Sequence, residues 1–107
     1  MALTPEQIDH AVELFEGVGT ITTRRMFGGM CLYIDGTVFA LLRSDGTVLL
    51  KAVNTFRDRV EAEGWTRWEY TRDNGTRSAM PYWELPEAAL DDPDEARALA
   101  RASLAAM

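Results

Sequence analysis

Residues Arg24 to Arg43 read RRMFGGMCLYIDGTVFALLR and have the highest apolar content of the chain, interrupted only by a Gly-Gly pair and an Asp-Gly pair. Two apolar runs, Met30–Ile34 and Val38–Leu42, flank Asp35-Gly36. An Asp-Gly pair between such runs is the strongest short signal for a β-hairpin. Neither run alternates polar with apolar residues, so both faces of the hairpin are expected to be covered. We expect the core to be built on this hairpin.

The residues before this stretch predict a helix and then a strand. Thr4-Pro5-Glu6-Gln7 has the spacing of a capping box with proline in the first turn, and Gly17 and Gly19 end the helix. Thr20 to Phe27 is rich in β-branched residues and predicts a strand, in which Arg24 and Arg25 lie on opposite faces. The apolar stripe of the helix is formed by Ile8, Ala11, Val12 and Phe15, with Leu14 at its border.

The residues after the hairpin predict a further strand, a helix and a second hairpin. Thr47–Lys51 continues the meander, and Asn54 is expected to cap a helix that runs through Glu63 to Gly64. Trp65–Arg72 and Thr76–Leu85 predict the second hairpin. Pro81 lacks a backbone donor, which indicates an edge strand or a bulge.

The C-terminal residues predict one helical turn and a longer helix. The turn covers Glu87–Leu90, and the helix begins at Asp92 with capping-box spacing. Its inner stripe is predicted to contain Ala96, Leu99, Ala100, Ser103 and Met107, with Leu104 beside it. The element order α-β-β-β-β-α-β-β-α predicts one α+β domain over residues 1–107, with an antiparallel sheet of five to six strands covered by helices.

Composition and charge favour an ordinary soluble domain. The chain has 107 residues, 47% of them hydrophobic, and a net charge of −6, with an isoelectric point near 4.7. Strong nucleic-acid binding needs a continuous cationic face, so nucleic acid is disfavoured as a partner. We expect no membrane span, no signal peptide and, with Cys31 as the only cysteine, a cytoplasmic location.

No residue pattern predicts catalysis, a cofactor or a metal site. His10 lies on the solvated face of the first helix without a second histidine, and structural zinc needs four ligands. Cys31 is expected to be a buried hydrophobe with a raised pKa. Gly28-Gly29 after the arginines could form an anion-binding nest, but paired glycines near strand ends more often serve backbone geometry. We predict a non-catalytic protein.

The second apolar face of the central strands predicts a partner. One candidate is the same face of a second copy, because closed twofold dimers are the commonest assembly. The other is a pocket for a small apolar ligand or a peptide, and we favour the homodimer. The predicted interaction surface comprises Arg24, Arg25, Phe27, Gly28, Gly29, Tyr33, Trp68, Tyr82 and Trp83.

A nucleic-acid-associated regulator is the alternative function. It would require the central basic residues to converge on one face of the fold. The residues in question are Arg24 or Arg25, Arg43, Lys51, Arg57 and Arg59.

Several motifs resemble the N-terminal domain of the TfoX/Sxy family. They are Arg25-Met26-Phe27-Gly28-Gly29, Leu32-Tyr33 before Asp35-Gly36, Met80-Pro81-Tyr82-Trp83 and Leu90-Asp91-Asp92-Pro93. The resemblance implies a two-layer α/β arrangement similar to type III secretion chaperones, and a link to regulation of natural competence. It implies no catalytic residues. Because the chain ends at Met107, we expect a stand-alone N-terminal domain that acts through an unknown protein partner.

Overall fold

The computed structural model describes residues 3–26, 29–71 and 73–107. Within them the chain forms four helices and six strands in the predicted order, with the predicted helical turn present as a separate short helix. The elements are α1 (Pro5–Leu14), β1 (Ile21–Met26), β2 (Gly29–Ile34), β3 (Thr37–Leu42), β4 (Val48–Lys51), α2 (Asn54–Ala62), β5 (Arg67–Thr71), β6 (Arg77–Glu84), α3 (Glu87–Leu90) and α4 (Pro93–Ala105).

The six strands form one antiparallel sheet in the order β1-β2-β3-β4-β6-β5. The first four strands are the predicted meander. The last hairpin joins it through β6, so β5 lies at one edge of the sheet and β1 at the other. The predicted α+β class is therefore confirmed.

Helix α1 begins with the predicted capping box. The backbone nitrogen of Gln7 donates to the Thr4 hydroxyl at 3.2 Å, and the backbone nitrogen of Thr4 donates to the Gln7 side chain at 2.9 Å. These bonds satisfy backbone donors that a helix start otherwise leaves free. Leu14, which the sequence places at the border of the stripe, is 2% exposed and belongs to the core.

Helix α2 begins without the predicted cap. Asn54 has a positive φ of 54°, and no side chain caps the helix start. The Asn54 amide donates instead to the Ala106 carbonyl oxygen at 2.7 Å. The prediction that Asn54 caps α2 is wrong, because its amide serves the C-terminal end of α4.

The other end of α2 agrees with the sequence. Gly64 has φ of 77° directly after the C-cap residue Glu63. The backbone nitrogens of Trp65 and Gly64 donate to the carbonyl oxygens of Val60 and Glu61, at 3.1 and 3.2 Å. This is the Schellman pattern, which ends a helix on a glycine that tolerates positive φ.

Helix α4 is held at its start and along its length. Asp92 accepts hydrogen bonds from the backbone nitrogens of Asp94 and Glu95. Farther along, the buried Ser103 hydroxyl donates to the Lys51 carbonyl oxygen of β4. The predicted inner residues Ala96, Leu99, Ala100 and Ser103 are buried, but Met107 is 40% exposed, because it follows the end of the helix.

Two irregularities set which residues face the helices. The β2–β3 register shifts between Leu32 and Tyr33, and Phe39 and Ala40, neighbours in sequence, are both buried in the main core. The second irregularity lies between β5 and β6 opposite Pro81. Of the two predicted roles of Pro81, the bulge is confirmed and the edge position is wrong, because β6 lies between β4 and β5.

Candidate functional site

The face of the sheet that no helix covers carries an apolar cavity of about 400 Å³, called the sheet groove below. Most of its wall is apolar or aromatic, and Arg43, Ser44 and Asp45 close one end. The side chains of the groove that matter here are Met26, Cys31, Tyr33, Val38, Leu41, Trp68, Met80 and Tyr82.

Strand register explains why these side chains meet. Cys31 pairs with Arg24 on one side and with Leu41 on the other, and Leu41 pairs with Leu49. Partners directly opposite each other in an antiparallel sheet point to the same face. Neighbouring positions such as Leu32 and Leu50 point the other way, into the core under the helices. Cys31, Leu49 and Tyr82 are buried but lie outside that core cluster.

The sheet covers part of this face by curling. Leu49 is fully buried, Cys31 is 3% exposed and Tyr82 is 8% exposed, although no helix lies over them. Met26 from edge strand β1 and Trp68 from edge strand β5 line the same groove. In a flat sheet, strands spaced by about 4.8 Å would put these edges about 24 Å apart. The curvature therefore brings both ends of the sheet around one cavity.

The predicted interaction residues divide between the two faces. Tyr33, Trp68 and Tyr82 line the groove, and Arg24 lies beside it through its pairing with Cys31. Arg25 lies on the opposite face, as its pairing with the core residue Met30 requires.

Trp83 is a core residue. It is 2% exposed, and the Arg67 guanidinium stacks over its ring at 4.6 Å from the centroid. Phe27 and Gly28 of the predicted surface lie outside the described residues.

Gly29 serves backbone geometry. It begins β2, and a Cβ added there would lie too close to the carbonyl oxygen of Leu42 in β3. Real Cβ atoms essentially never approach that closely, so only glycine allows β2 and β3 to pair at this point. This supports the geometric role of Gly29 over the anion-binding alternative.

The Cys31 thiol is not activated. Its sulfur donates to the Met26 sulfur at 3.8 Å. Burial raises the pKa of Cys31, and the hydrogen bond with Tyr33 and the charge of Arg24 only partly offset this. A thiol with a raised pKa is a poor nucleophile near neutral pH, as expected from its mid-strand position.

Tyr82 is the second buried polar group in the groove. Burial raises the pKa of its hydroxyl, and the neighbouring Cys31 and Tyr33 raise it further. The hydroxyl therefore stays protonated and can donate a hydrogen bond. Within the described part of the chain, no hydrogen-bond acceptor contacts it.

The charges of Arg43 and Asp45 at one end of the groove neutralise each other. Arg43 donates to both carboxylate oxygens of Asp45, at 2.8 and 3.3 Å, and to the Thr47 hydroxyl at 3.1 Å. The backbone nitrogen of Thr47 donates to the same carboxylate at 2.9 Å. The hydrogen bond from Arg43 is the main reason why the pKa of Asp45 falls to about 2.

The basic residues of the nucleic-acid alternative do not share one face. Arg24, Arg43 and Lys51 lie on the groove side, where Lys51 pairs with Tyr82. Arg25 lies on the other face. Arg57 and Arg59 on α2 form ion pairs with Glu61 and Glu63 at 2.8 and 3.0 Å. The described basic residues therefore form no continuous cationic surface, which such binding requires.

A larger depression, of about 770 Å³, lies beside β4, α2 and α3. Four carboxylates contribute to its wall, namely Asp45, Glu63, Glu84 and Glu87. Asp45 and Glu63 are already paired with Arg43 and Arg59. The depression lacks the buried, apolar lining of the sheet groove, so the groove is the better candidate site.

The described ranges of the chain lack two further features. No group of three or more His, Cys, Asp or Glu side chains there is placed to hold a metal ion. None of the described helices is both long enough and apolar enough to cross a membrane.

The predicted surface missed five of these groove residues, namely Met26, Cys31, Val38, Leu41 and Met80. The alternation of side chains between the two faces of β1 was sufficient to find Met26, because Met26 lies on the same face as Arg24. Met80 carried no such signal, because the irregular register opposite Pro81 decides which way it points.

One family model matches the chain. It is that of the TfoX N-terminal domain, and it matches residues 13–107. This range includes all six strands and three of the four helices in full. A search of curated proteins found no match.

Proposed function

The chain belongs to the TfoX N-terminal domain family, a regulatory family associated with competence, and on that basis we propose that it is a non-catalytic regulatory domain acting through contacts on the groove side of its sheet. The family is not known for enzymatic activity. The proposal places the working surface on the face that the helices leave uncovered.

The sheet groove is the observation that carries this proposal. The helix-covered core already includes four large aromatic residues, each at most 3% exposed, namely Phe15, Phe39, Phe56 and Trp83. The fold does not need a cavity on the other face. An apolar cavity with a few polar groups is the usual form of a binding site.

The non-catalytic part of the proposal rests on the side chains near the groove. Cys31 is held protonated, and the exposed His10 lies on α1, in the opposite layer. Nucleophilic catalysis needs a nucleophile within hydrogen-bond reach of a base. The described groove residues offer a thiol beside a thioether, two phenols and the Asp45 carboxylate. Asp45 is paired with Arg43, and its pKa of about 2 makes it a weak base.

The homodimer stays a prediction, and the geometry restricts how it could form. A twofold axis through the groove would place one cavity against another, leaving both unfilled. Contacts between copies would therefore involve the rim, where Met26 is 44% exposed. Sedimentation velocity of the wild type over a range of concentrations measures this association. Loss of the dimer in Met26→Glu would place the contact on the groove side.

The proposal can be tested by affinity capture from the native cell with two matched variants. Met26→Glu places a carboxylate at the groove rim. Met107→Glu makes the same change at the other exposed methionine, which is 40% exposed and follows α4. We expect the wild type and Met107→Glu to recover the same nuclease-resistant partners, and Met26→Glu to recover about tenfold less.

Two outcomes would count against the proposal. Equal recovery by the two variants would show that the groove side is not the contact surface. Recovery that disappears after nuclease treatment would favour the nucleic-acid-associated alternative, despite the divided basic residues.

A further inference from the structure

The shape of the sheet groove restricts what can occupy it. Its volume of about 400 Å³ falls in the range of small-molecule sites, about 300–1,000 Å³. Its floor comes from strands inside the sheet, such as β2 and β3, whose backbone groups are already paired with neighbours. A peptide strand placed there would leave its own backbone groups unpaired in an apolar cavity, which is costly. A small molecule avoids this cost.

Tyr82 supplies a hydrogen-bond donor without an acceptor. Its side chain is 8% exposed and lines the groove. The described residues provide no hydrogen-bond partner for its hydroxyl. The hydroxyl is not fully buried, so a ligand in the groove can reach it and accept its hydrogen bond. A ligand that carries an acceptor group would complement this donor.

Arg24 supplies a positive charge next to the same place. It lies directly across from Cys31 on the groove face of β1, and it has no ion-pair partner among the described residues. Among the described residues, Asp45 is the one carboxylate that lines the groove, and it is paired with Arg43. The site therefore carries a net positive charge at its β1 side in a protein whose net charge is −6.

From these features we propose that the sheet groove binds a small amphipathic organic anion. Its apolar or aromatic body would lie against Met26, Leu41 and Trp68. Its anionic group would accept a hydrogen bond from Tyr82 and pair with Arg24. This inference rests on the proposed function, because the ligand would occupy the face through which the domain makes its contacts and would thereby regulate them.

Two fluorescent probes that differ in one charged group test the proposal with the purified protein. One is 8-anilino-1-naphthalenesulfonate, an aromatic sulfonate. The other is N-phenyl-1-naphthylamine, which has the same rings without the sulfonate. We expect the sulfonate to bind the folded protein with a stoichiometry of one and several-fold more tightly than the neutral amine. Near-ultraviolet circular dichroism checks that the protein stays folded.

Three variants assign the polar contacts. Tyr82→Phe removes only the hydroxyl and is expected to weaken sulfonate binding at least about tenfold. Arg24→Gln is expected to weaken it about three- to fivefold, because the ion pair is partly exposed. Neither variant should change binding of the neutral amine. Arg25→Gln, which makes the same charge change on the opposite face, should leave both probes unaffected.

The proposal is overturned if neither probe binds the folded wild type, or if the two probes bind equally. An equal loss in Arg24→Gln and Arg25→Gln would also overturn it, since that would reflect net charge alone. If the probe experiment fails while Met26→Glu still captures less partner than the wild type, only the proposed ligand is contradicted. If the probes behave as expected while Met26→Glu captures normally, the proposed function falls instead.

Discussion

The two faces of the sheet are built from the same strands, yet they are covered in different ways. Under the helices, Leu32, Leu50 and Trp83 are at most 2% exposed and pack in one continuous cluster. On the groove side, Tyr33 and Leu41 from the same strands stay half-buried around a cavity. The side chains on both faces are apolar, so composition alone does not distinguish them.

The difference comes from what closes each face. Helices α1, α2 and α4 contribute side chains such as Leu14, Val60 and Leu99, which fill the space above the core face. Among the described residues, the groove side is closed by the curvature of the sheet and by the last hairpin. The curvature of the sheet buries the residues at the floor of the groove but does not fill the centre of the cavity. One face therefore stabilises the fold, while the other leaves a space for binding.

Removing a large side chain from each face should have the largest effect on stability. The comparison separates the face that stabilises the fold from the face that binds. Leu50→Ala on the core face is expected to lower the free energy of unfolding by about 3 kcal/mol, because it leaves a cavity among helix side chains. Leu41→Ala in the groove should cost only about 1 kcal/mol, because solvent already reaches this residue. Urea unfolding measures both. Equal losses would mean that the two faces contribute alike to stability.

A methyl group added at Gly29 should have the next largest effect. Gly29→Ala is expected to cost about 2 kcal/mol, since the Cβ would force β2 away from the Leu42 carbonyl oxygen. Gly36→Ala is the matched control, because it tests positive φ (78°) in open space and should cost about 1 kcal/mol. Thermal unfolding compares them. A smaller loss at Gly29 than at Gly36 would contradict the close approach of the strands.

The ion pair at the end of the groove should have the smallest effect, and this effect should depend on pH. The pKa of Asp45 is lowered to about 2, so its contribution is present above the unfolded value near 3.8 and is lost as pH falls toward 2. Asp45 is 58% exposed. Solvent screening therefore limits its contribution to about 0.5–1 kcal/mol.

Asp45→Asn tests this contribution. At pH 7 the variant should be less stable than the wild type by about that amount, and the difference should shrink as the pH is lowered from about 4 toward 2. Urea unfolding at several pH values follows the difference. A loss of stability that is the same at pH 7 and at pH 3 would indicate that the lost contacts do not depend on the carboxylate charge.

Much of the fold could be predicted because local signals specified it. The Asp35-Gly36 turn, the Thr4 capping box and the Gly64 helix end each use bonds within a few residues of the chain. The alternation of side chains along β1 also placed Arg24 and Arg25 correctly on opposite faces of the sheet.

The features that escaped prediction depend on distant contacts. Asn54 was expected to cap α2 but bonds to Ala106, which lies 52 residues away. The position of β6 between β4 and β5 depends on which strand of the last hairpin pairs with β4. No local sequence pattern determines that choice. A pocket on this face was predicted only as the alternative to a homodimer, and its position could not be predicted for the same reason. It exists because the sheet curls, and the apolar pattern of the strands would be equally suited to a flat sheet.

Photocrosslinking in the native cell provides a decisive test of the working surface. A benzophenone amino acid is placed at position 26, on the groove rim, or at position 107, after α4. We predict covalent partner adducts from position 26 and only background from position 107. Adducts from position 107 alone would place the contacts on the helix side and contradict the assignment of the groove side as the binding face.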